Sequence, residues 1–177
     1  SMILGMDIST SMTGITILNS KGQVVLCDVW DFRKDKGFFQ KVAKAKSYLQ
    51  GIREDQRVEK IFIEQSLQSF RSGFSSAQTL STLARFNGTL SWLCYELFDI
   101  EPEFINATTA RKLYGVKVPR GQKAKEVVLK KVLDIEPSFS ITYTKYGNPK
   151  PGSYDKADSL VIAKAGFEIC KKKKSES

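Results

Sequence analysis

Residues 2–18, MILGMDISTSMTGITIL, decide how the chain begins to fold. The apolar run at residues 2–8 is long enough for a buried strand and too short for a helix. Residues 15–18 then alternate as a second strand. The sequence NSKG at residues 19–22 is a hairpin signal, and it leads into a third strand at residues 23–30. The start of the chain therefore predicts an antiparallel meander of three strands.

The rest of the chain alternates between helical and strand patterns. Short strands are predicted at residues 60–64 and 103–106, and a loop rich in proline and glycine at residues 138–153. Helices are predicted at residues 38–52, 74–98, 124–133 and 154–170, together with a short helix that Thr108 caps and that runs through Leu113. This order predicts an α/β fold, a mixed five-stranded sheet with helices on both faces.

The composition limits what the protein can do. The 177 residues fit one domain, predicted at residues 2–170, followed by a disordered basic tail at residues 171–177. The sequence has no histidine, which excludes a Ser-His-Asp triad, a Cys-His pair and a histidine general base. Chemistry must therefore come from carboxylates, lysines, hydroxyls, thiols or a metal held by oxygen.

Cysteine usage and hydropathy indicate the compartment. The three cysteines lie far apart without a CxxC spacing, which is typical of reduced thiols. No apolar run approaches the ~20 residues of a membrane span, and no signal peptide pattern is present. We expect a cytoplasmic protein that does not associate with a membrane.

Two carboxylates follow buried strands. Asp7 lies near the end of the first strand, where an unpaired carboxylate would be costly to bury. Glu64 ends the strand at residues 60–64 in the same way. The ends of neighbouring strands tend to converge on one rim of a sheet, so we expect these side chains to lie close together. The alternative for Asp7 alone is a strand-end residue that accepts turn hydrogen bonds.

A second pair of carboxylates lies in the last predicted helix. Asp155 and Asp158 are three residues apart and therefore share a helix face. Capping of the helix N-terminus would explain Asp155 well and Asp158 less well. Four clustered carboxylates repel one another unless hard cations lie between them, and an oxygen-only site suits Mg²⁺ or Mn²⁺. Two such ions are a standard means of cleaving a phosphodiester, so the sequence indicates a nuclease.

Three motifs resemble those of RuvC-type Holliday junction resolvases, which belong to the RNase H-like superfamily. ILGMDISTSMTG at residues 3–14 is similar to their opening strand and turn, and IEQ at residues 63–65 to their second acidic position. YDKADSLVIA at residues 154–163 resembles their C-terminal helix with paired aspartates. The motifs occur in family order and span the chain almost end to end. They are also compatible with a bacteriophage-type member of this family.

The resemblance implies a homodimer that binds a four-way DNA junction. Each subunit would nick one of two opposed strands with two Mg²⁺ ions per site (Mn²⁺ as a substitute), leaving 5′-phosphate and 3′-hydroxyl ends. The family's metal-binding positions match Asp7, Glu64, Asp155 and Asp158. Lys125 matches a family lysine near the scissile phosphate, with Lys123 as an alternative register. The helix at residues 74–98 corresponds to the family's dimer-forming helix.

The family's aromatic wedge is displaced in this sequence. The family often places an aromatic residue three positions after the Glu, where it wedges into the junction, and Leu67 occupies that position here. Phe70 and Phe74 lie downstream and could serve as the wedge or belong to the core. Residues 145–152 form a longer segment than the family pattern leads one to expect.

The net charge of +9 is concentrated in one region. Residues 111–131 hold eight basic residues against Glu126 alone, and they include a predicted exposed loop. Such a stretch is typical of a surface that tracks a phosphate backbone. The predicted DNA contacts are Arg111, Lys112, Lys117, Arg120, Lys123 and Lys125, with Phe70 and Phe74. The lysines at residues 171–174 would raise non-specific affinity.

Three other functions fit parts of the pattern. A broader nuclease of the same fold would cut forks and flaps as well as four-way junctions. Actin-like and sugar-kinase ATPases also open with an Asp strand and a phosphate loop, although they need two such domains and this chain is about half their size. A DNA-structure binder without catalysis is the third, and four carboxylates argue against it.

Overall fold

A computed structural model describes residues 2–65 and 76–176 of the chain. The sheet consists of β1 (Met2–Asp7), β2 (Met12–Leu18), β3 (Val24–Asp31), β4 (Val58–Glu64) and β5 (Glu103–Ile105). The helices are α1 (Phe38–Asp55), α2 (Ala77–Phe98), α3 (Ala107–Tyr114), α4 (Ala124–Ile135) and α5 (Ser153–Glu176). The predicted mixed five-stranded sheet with helices on both faces is confirmed.

The strands lie in the order β3-β2-β1-β4-β5. The first three form the predicted antiparallel meander, and β1 pairs in parallel with β4, which pairs in parallel with β5. Every residue of β2 is buried, and so is nearly all of β1. These two strands read as almost continuous apolar runs because helices cover both of their faces.

Two hydrophobic cores lie on opposite faces of the sheet. One is built between the sheet and α1 and α2, and it includes Leu4, Met6 and Ile61. The other lies between the sheet and α3, α4 and α5, and it includes Ile3 and Phe62. Since successive strand residues point to opposite faces, β1 and β4 each contribute to both cores.

Helix α5 lies directly on the sheet because small residues line its path. A Cβ at Gly5 would come within 2.6 Å of the Ala163 Cβ, and a Cβ at Gly14 would collide with the carbonyl oxygen of Asp155. The Thr16 and Ser159 hydroxyls form a buried hydrogen bond of 2.8 Å between β2 and α5. These contacts hold the first turns of α5 against the carboxyl end of β1.

Several helix boundaries differ from the sequence prediction. The short helix is α3, and Asn106 caps it rather than Thr108, because the Asn106 Oδ1 accepts the Thr109 N–H at 2.8 Å. Ser76 caps α2 by accepting the Thr79 N–H, and the predicted helical residues 74 and 75 lie outside the described part of the chain. No helix in residues 2–65 and 76–176 is long and apolar enough to cross a membrane.

The end of the chain also differs from the prediction. The expected disordered tail from residue 171 continues α5 as far as Glu176. Lys173 forms a 3.2 Å ion pair with Glu103, and the Lys171 ammonium lies 5.9 Å from the centre of the Phe167 ring. Lys and Glu are good helix formers, so the charged segment propagates the helix instead of ending it.

Candidate active site

The register of β1 and β4 brings two carboxylates together. Gly5 pairs with Phe62 and Met6 with Ile63, so the next step along both strands places Asp7 beside Glu64. Asp7 shares a sheet face with Gly5, which contacts α5, and Glu64 shares a face with Phe62, which also contacts α5. Both carboxylates therefore lie at one rim of the sheet on the side that α5 covers.

The other two carboxylates come from the first turns of α5. The close approach of α5 at Gly14 fixes the backbone of Asp155, and Asp158 follows one turn later on the same face. Asp155 and Asp158 both act electrostatically on Asp7. The structure therefore brings together all four carboxylates that the sequence singled out.

The carboxylates make one another harder to ionise. Burial is the largest cause that raises the pKa of Asp7 well above its usual value, and the three other carboxylates add to it. Burial and then the charge of Glu64 raise the pKa of Asp158 to about 8. Burial likewise raises the pKa of Glu64 and of Asp155. A cation placed among these groups would relieve the repulsion.

Two basic side chains moderate this acidic cluster. The positive charge of Arg111 of α3 lowers the pKa of Glu64 and of Asp158. Lys125 of α4 lowers the pKa of Asp155 and of Asp158 in the same way, and its ammonium lies 5.0 Å from the centre of the Tyr154 ring. Arg111 was predicted as a DNA contact, and in the structure its charge also acts on the carboxylates.

The sequence did not single out the residues that hold the rim in place. Asn87 of α2 is buried and donates through Nδ2 to the Glu64 carbonyl oxygen at 3.2 Å. Thr13 donates through Oγ1 to the Ser9 carbonyl at 2.9 Å and accepts the Ser9 N–H at 3.2 Å, which closes the turn after β1. Asn87 could have been predicted from the sequence, because it is a polar residue within the apolar stripe of a helix, and a buried polar side chain needs a hydrogen-bond partner.

The donor set fits a hard divalent cation. All four side chains offer carboxylate oxygens, the ligands that Mg²⁺ and Mn²⁺ prefer. The parallel pairing of β1 and β4 places Asp7 and Glu64 side by side at the end of neighbouring strands. Within the described ranges, no three acidic or cysteine side chains stand in a ready-made coordinating geometry.

Two neighbouring depressions of the surface meet at Thr108 of α3. One, of about 610 Å³, is lined by Asp7, Glu64, Asn87 and the start of α3 through Thr108. Thr108 also borders a second depression of about 630 Å³, lined by Arg111, Lys112 and Lys117. Arg111, Lys112 and Lys117 thus line a depression next to the one that holds Asp7 and Glu64.

The remaining predicted contacts are distributed around this surface. Arg120 is exposed in the loop between α3 and α4, and Lys123 is the exposed residue that precedes α4. Lys123 makes no side-chain capping hydrogen bond to that helix. Phe70 and Phe74, the predicted wedge residues, lie outside the described residues, as does Leu67.

The structure was compared with known proteins. It superposes on Thermus thermophilus RuvC in complex with a Holliday junction substrate with a TM-score of 0.70, over 97% of this chain and 96% of that one, at 15% identity. A second T. thermophilus RuvC structure gives 0.67, over 98% and 97%, at 17% identity. The chain has the RuvC fold.

A eukaryotic resolvase has this RuvC fold as well. The yeast mitochondrial Holliday junction resolvase Ydc2 superposes with a TM-score of 0.60, over 98% of this chain and 80% of that one, at 14% identity. No protein-family model matches the sequence, and no curated protein matches it significantly. The likeness to RuvC is therefore one of fold.

Proposed function

We propose that the protein is a divalent-metal-dependent endonuclease that cuts branched DNA, with four-way junctions as its principal substrate. The observation that carries this proposal is the convergence of four carboxylates on one rim of the sheet, with Lys125 and Arg111 beside them. A cluster of raised carboxyl pKa values in a cleft is typical of a functional site. The adjoining basic surface supplies the charge that a phosphate backbone requires.

Asp7, Glu64, Asp155 and Asp158 would hold two Mg²⁺ ions, or Mn²⁺ in their place. When bound, the ions would supply an activated water and stabilise the leaving oxygen of the cleaved phosphodiester. This chemistry suits a sequence without histidine, since it needs no imidazole base. Glu64 depends on Asn87 for its position, because the Asn87 amide fixes its backbone.

Two cationic side chains would orient the substrate phosphate. Lys125 belongs to α4 and Arg111 to α3, so they approach the carboxylates from different elements. Both lower carboxylate pKa values and so keep part of the cluster ionised. Beyond them, Lys112 and Lys117 would bind the phosphates of a DNA arm without reading its sequence.

The comparison structures support a branched substrate. T. thermophilus RuvC of the same fold was solved in complex with a Holliday junction substrate. A junction has two opposed strands to cut, so paired symmetric nicks with 5′-phosphate and 3′-hydroxyl ends call for two copies of the site. A homodimer meets that requirement. A broader preference for forks and flaps is the alternative within the same chemistry.

Helix α2 supports the homodimer. Leu90, Leu93 and Leu97 are buried in the core, whereas Trp92 and Tyr95 are 56% and 49% exposed on another face of the helix. Large exposed aromatic residues three positions apart form an apolar patch of the kind found in protein interfaces. We infer that α2 pairs with α2 of a second copy.

The test compares Asp7→Asn with wild type on labelled four-way junctions, forks and flaps. Wild type with Mg²⁺ should cut the four-way junction, and Asp7→Asn should bind it but not cut it. Asp55→Asn at the end of α1 is the control, because it removes an exposed carboxylate at the end of another helix. Undiminished cutting by Asp7→Asn would refute the proposed site.

A further inference from the structure

Residues 142–150 form a small, ordered hairpin, which we call the 142–150 hairpin. Tyr143 and Pro149 form an antiparallel bridge, the Lys150 N–H donates to the Thr142 carbonyl at 3.0 Å, and the Thr144 N–H to the Asn148 carbonyl at 2.8 Å. Gly147 turns the chain with a φ of +83°, in the region that favours glycine. The segment is therefore a shaped projection and not a loose loop.

The base of the hairpin is tied to the start of α5. The Lys150 carbonyl accepts the Ser153 Oγ–H at 2.7 Å and the Ser153 N–H at 3.1 Å. Lys156 donates to the Ser140 carbonyl at 2.6 Å on the other side of the hairpin. Asp155 follows Ser153 by two residues, so the hairpin rises from the edge of the carboxylate cluster.

The tip of the hairpin presents an aromatic ring and positive charge. Tyr146 is 78% exposed and Tyr143 is 52% exposed. The Lys145 ammonium lies over the Tyr146 ring, 5.1 Å from its centre, which leaves the opposite face of this exposed ring open to a ligand. Residues 137–154 contain Lys145 and Lys150 and no acidic residue.

This combination matches a nucleic-acid contact. Aromatic rings bind bases by stacking, and lysines next to them bind the phosphates of the same strand. A base inside a duplex is stacked on both sides, whereas a branch point exposes base faces. The hairpin itself carries no acidic residue, and its base is bonded to the first turn of α5, which also carries Asp155 of the proposed site.

The length of the hairpin sets its reach. The paired steps from Thr142 to Thr144 rise about 7 Å at about 3.3 Å per residue, and the turn and the Tyr146 side chain extend beyond them. Nucleotides along one strand are about 3.4 Å apart. Tyr146 would thus reach a base a few nucleotides from the phosphate at the carboxylates.

We propose that the 142–150 hairpin is a second DNA-binding element, in which Tyr146 stacks on a base exposed at the branch point and Lys145 and Lys150 bind the flanking phosphates. This inference rests on the proposed function and deepens it. The segment at residues 145–152 is longer than the family pattern leads one to expect. This inference assigns it a role in selecting branched over linear DNA.

The first experiment measures binding to a four-way junction and to a linear duplex of the same sequence, by fluorescence anisotropy in EDTA. Tyr146→Ala should weaken junction binding about 5- to 100-fold and duplex binding less than about twofold, because only the junction offers an open base face. Tyr146→Phe should bind as wild type does, since the ring is retained. Gly51→Ala in α1, outside the hairpin, is the control and should change neither affinity, since nothing lies within 4 Å of a Cβ built there.

The second experiment locates the contact in the wild-type protein. With 2-aminopurine placed at each of the four nucleotides next to the cut site, stacking on Tyr146 should quench the fluorescence at one of them. Tyr146→Ala should remove that quenching. This readout separates a stacked base from a general loss of affinity, and circular dichroism checks that the variant is folded.

The outcomes distinguish this inference from the proposed function. If wild type binds and cuts the junction and Tyr146→Ala binds it equally well, the hairpin inference is wrong and the proposed function stands. Equal losses for junction and duplex, or a Phe variant as weak as the Ala variant, also refute stacking at the branch. If wild type neither binds nor cuts the junction, both proposals are wrong.

Discussion

The buried carboxyl of Asp158, a proposed metal ligand, makes the stability of the metal-free protein depend on pH. Its pKa rises to about 8 because it is buried and faces Glu64, and its ordinary value is 3.8. Between about pH 4 and about pH 8, the Asp158 carboxyl is therefore largely protonated in the folded state and largely ionised in the unfolded state. The free energy of unfolding contributed by Asp158 therefore falls as the pH rises from about 4 to about 8.

Asp158→Asn should stabilise the metal-free protein at pH 8 and have little effect near pH 4, where the carboxyl is protonated in the folded state and about half protonated in the unfolded state. Thermal unfolding in EDTA at both pH values measures this. A gain of only about 1 kcal/mol would raise the Tm by about 2–4 °C in a chain of this size.

Added Mg²⁺ should raise the Tm of wild type at pH 8 and raise that of Asp158→Asn less, because the variant lacks one of the proposed ligands. Asp55→Asn serves again as the control and should respond as wild type does. A lower Tm for Asp158→Asn than for wild type in EDTA at pH 8 would contradict the account of electrostatic repulsion.

Helix α5 depends on glycine for its position. Gly14 lies under the first turn of α5, and a Cβ there would collide with the Asp155 carbonyl oxygen and come within 3.0 Å of the Ser159 Cβ. Both atoms belong to the helix that carries the carboxylates, so relief of the collision must move the helix away from β2.

Gly14→Ala should therefore lower cleavage more than binding. A displacement of about 1 Å at a catalytic group can reduce the rate about 100-fold. Single-turnover cleavage and junction affinity measure the two effects separately. Gly51→Ala in α1 is the matched control, since nothing lies within 4 Å of a Cβ built there, and it should cleave at the wild-type rate. Wild-type cleavage by Gly14→Ala would show that α5 does not need this contact.

Some features of the fold and of the site could be predicted from the sequence, and others could not. The carboxylates at Asp7 and Glu64 were predictable because each ends a short apolar strand. The close approach of α5 at Gly14 was not, since it depends on packing between segments more than 140 residues apart. The 142–150 hairpin was predicted as a loop, because prolines and glycines are typical of loops. The Tyr143–Pro149 bridge is too short to give a strand pattern in the sequence. The helical extension to Glu176 was missed because a run of lysines resembles a solvated tail.

The protein as a whole combines an acidic site with a basic exterior. Four carboxylates gather at one rim although the net charge is +9, and three of the eight basic residues in residues 111–131 line the adjoining depression. Such an arrangement would attract DNA over long distances and would still offer a site for cations at the proposed point of cleavage.

The proposed homodimer predicts a defect that is separate from the chemistry. Trp92→Glu should give a monomer, because a charge replaces an apolar residue that is 56% exposed on α2. Light scattering after size-exclusion chromatography measures the mass. The monomer should lose paired cutting of junctions, while its thermal stability stays close to that of wild type. A monomeric wild type, or a dimeric Trp92→Glu, would refute the α2 interface.

Cleavage of a labelled four-way junction with Mg²⁺, followed by treatment with DNA ligase, tests the central claim most directly. Wild type should nick two opposed strands at symmetric positions, and ligase should reseal the nicked duplexes, because the ends carry 5′-phosphate and 3′-hydroxyl groups. Asp7→Asn should leave the junction intact. An uncut junction with wild type, or products that ligase cannot seal, would contradict the account.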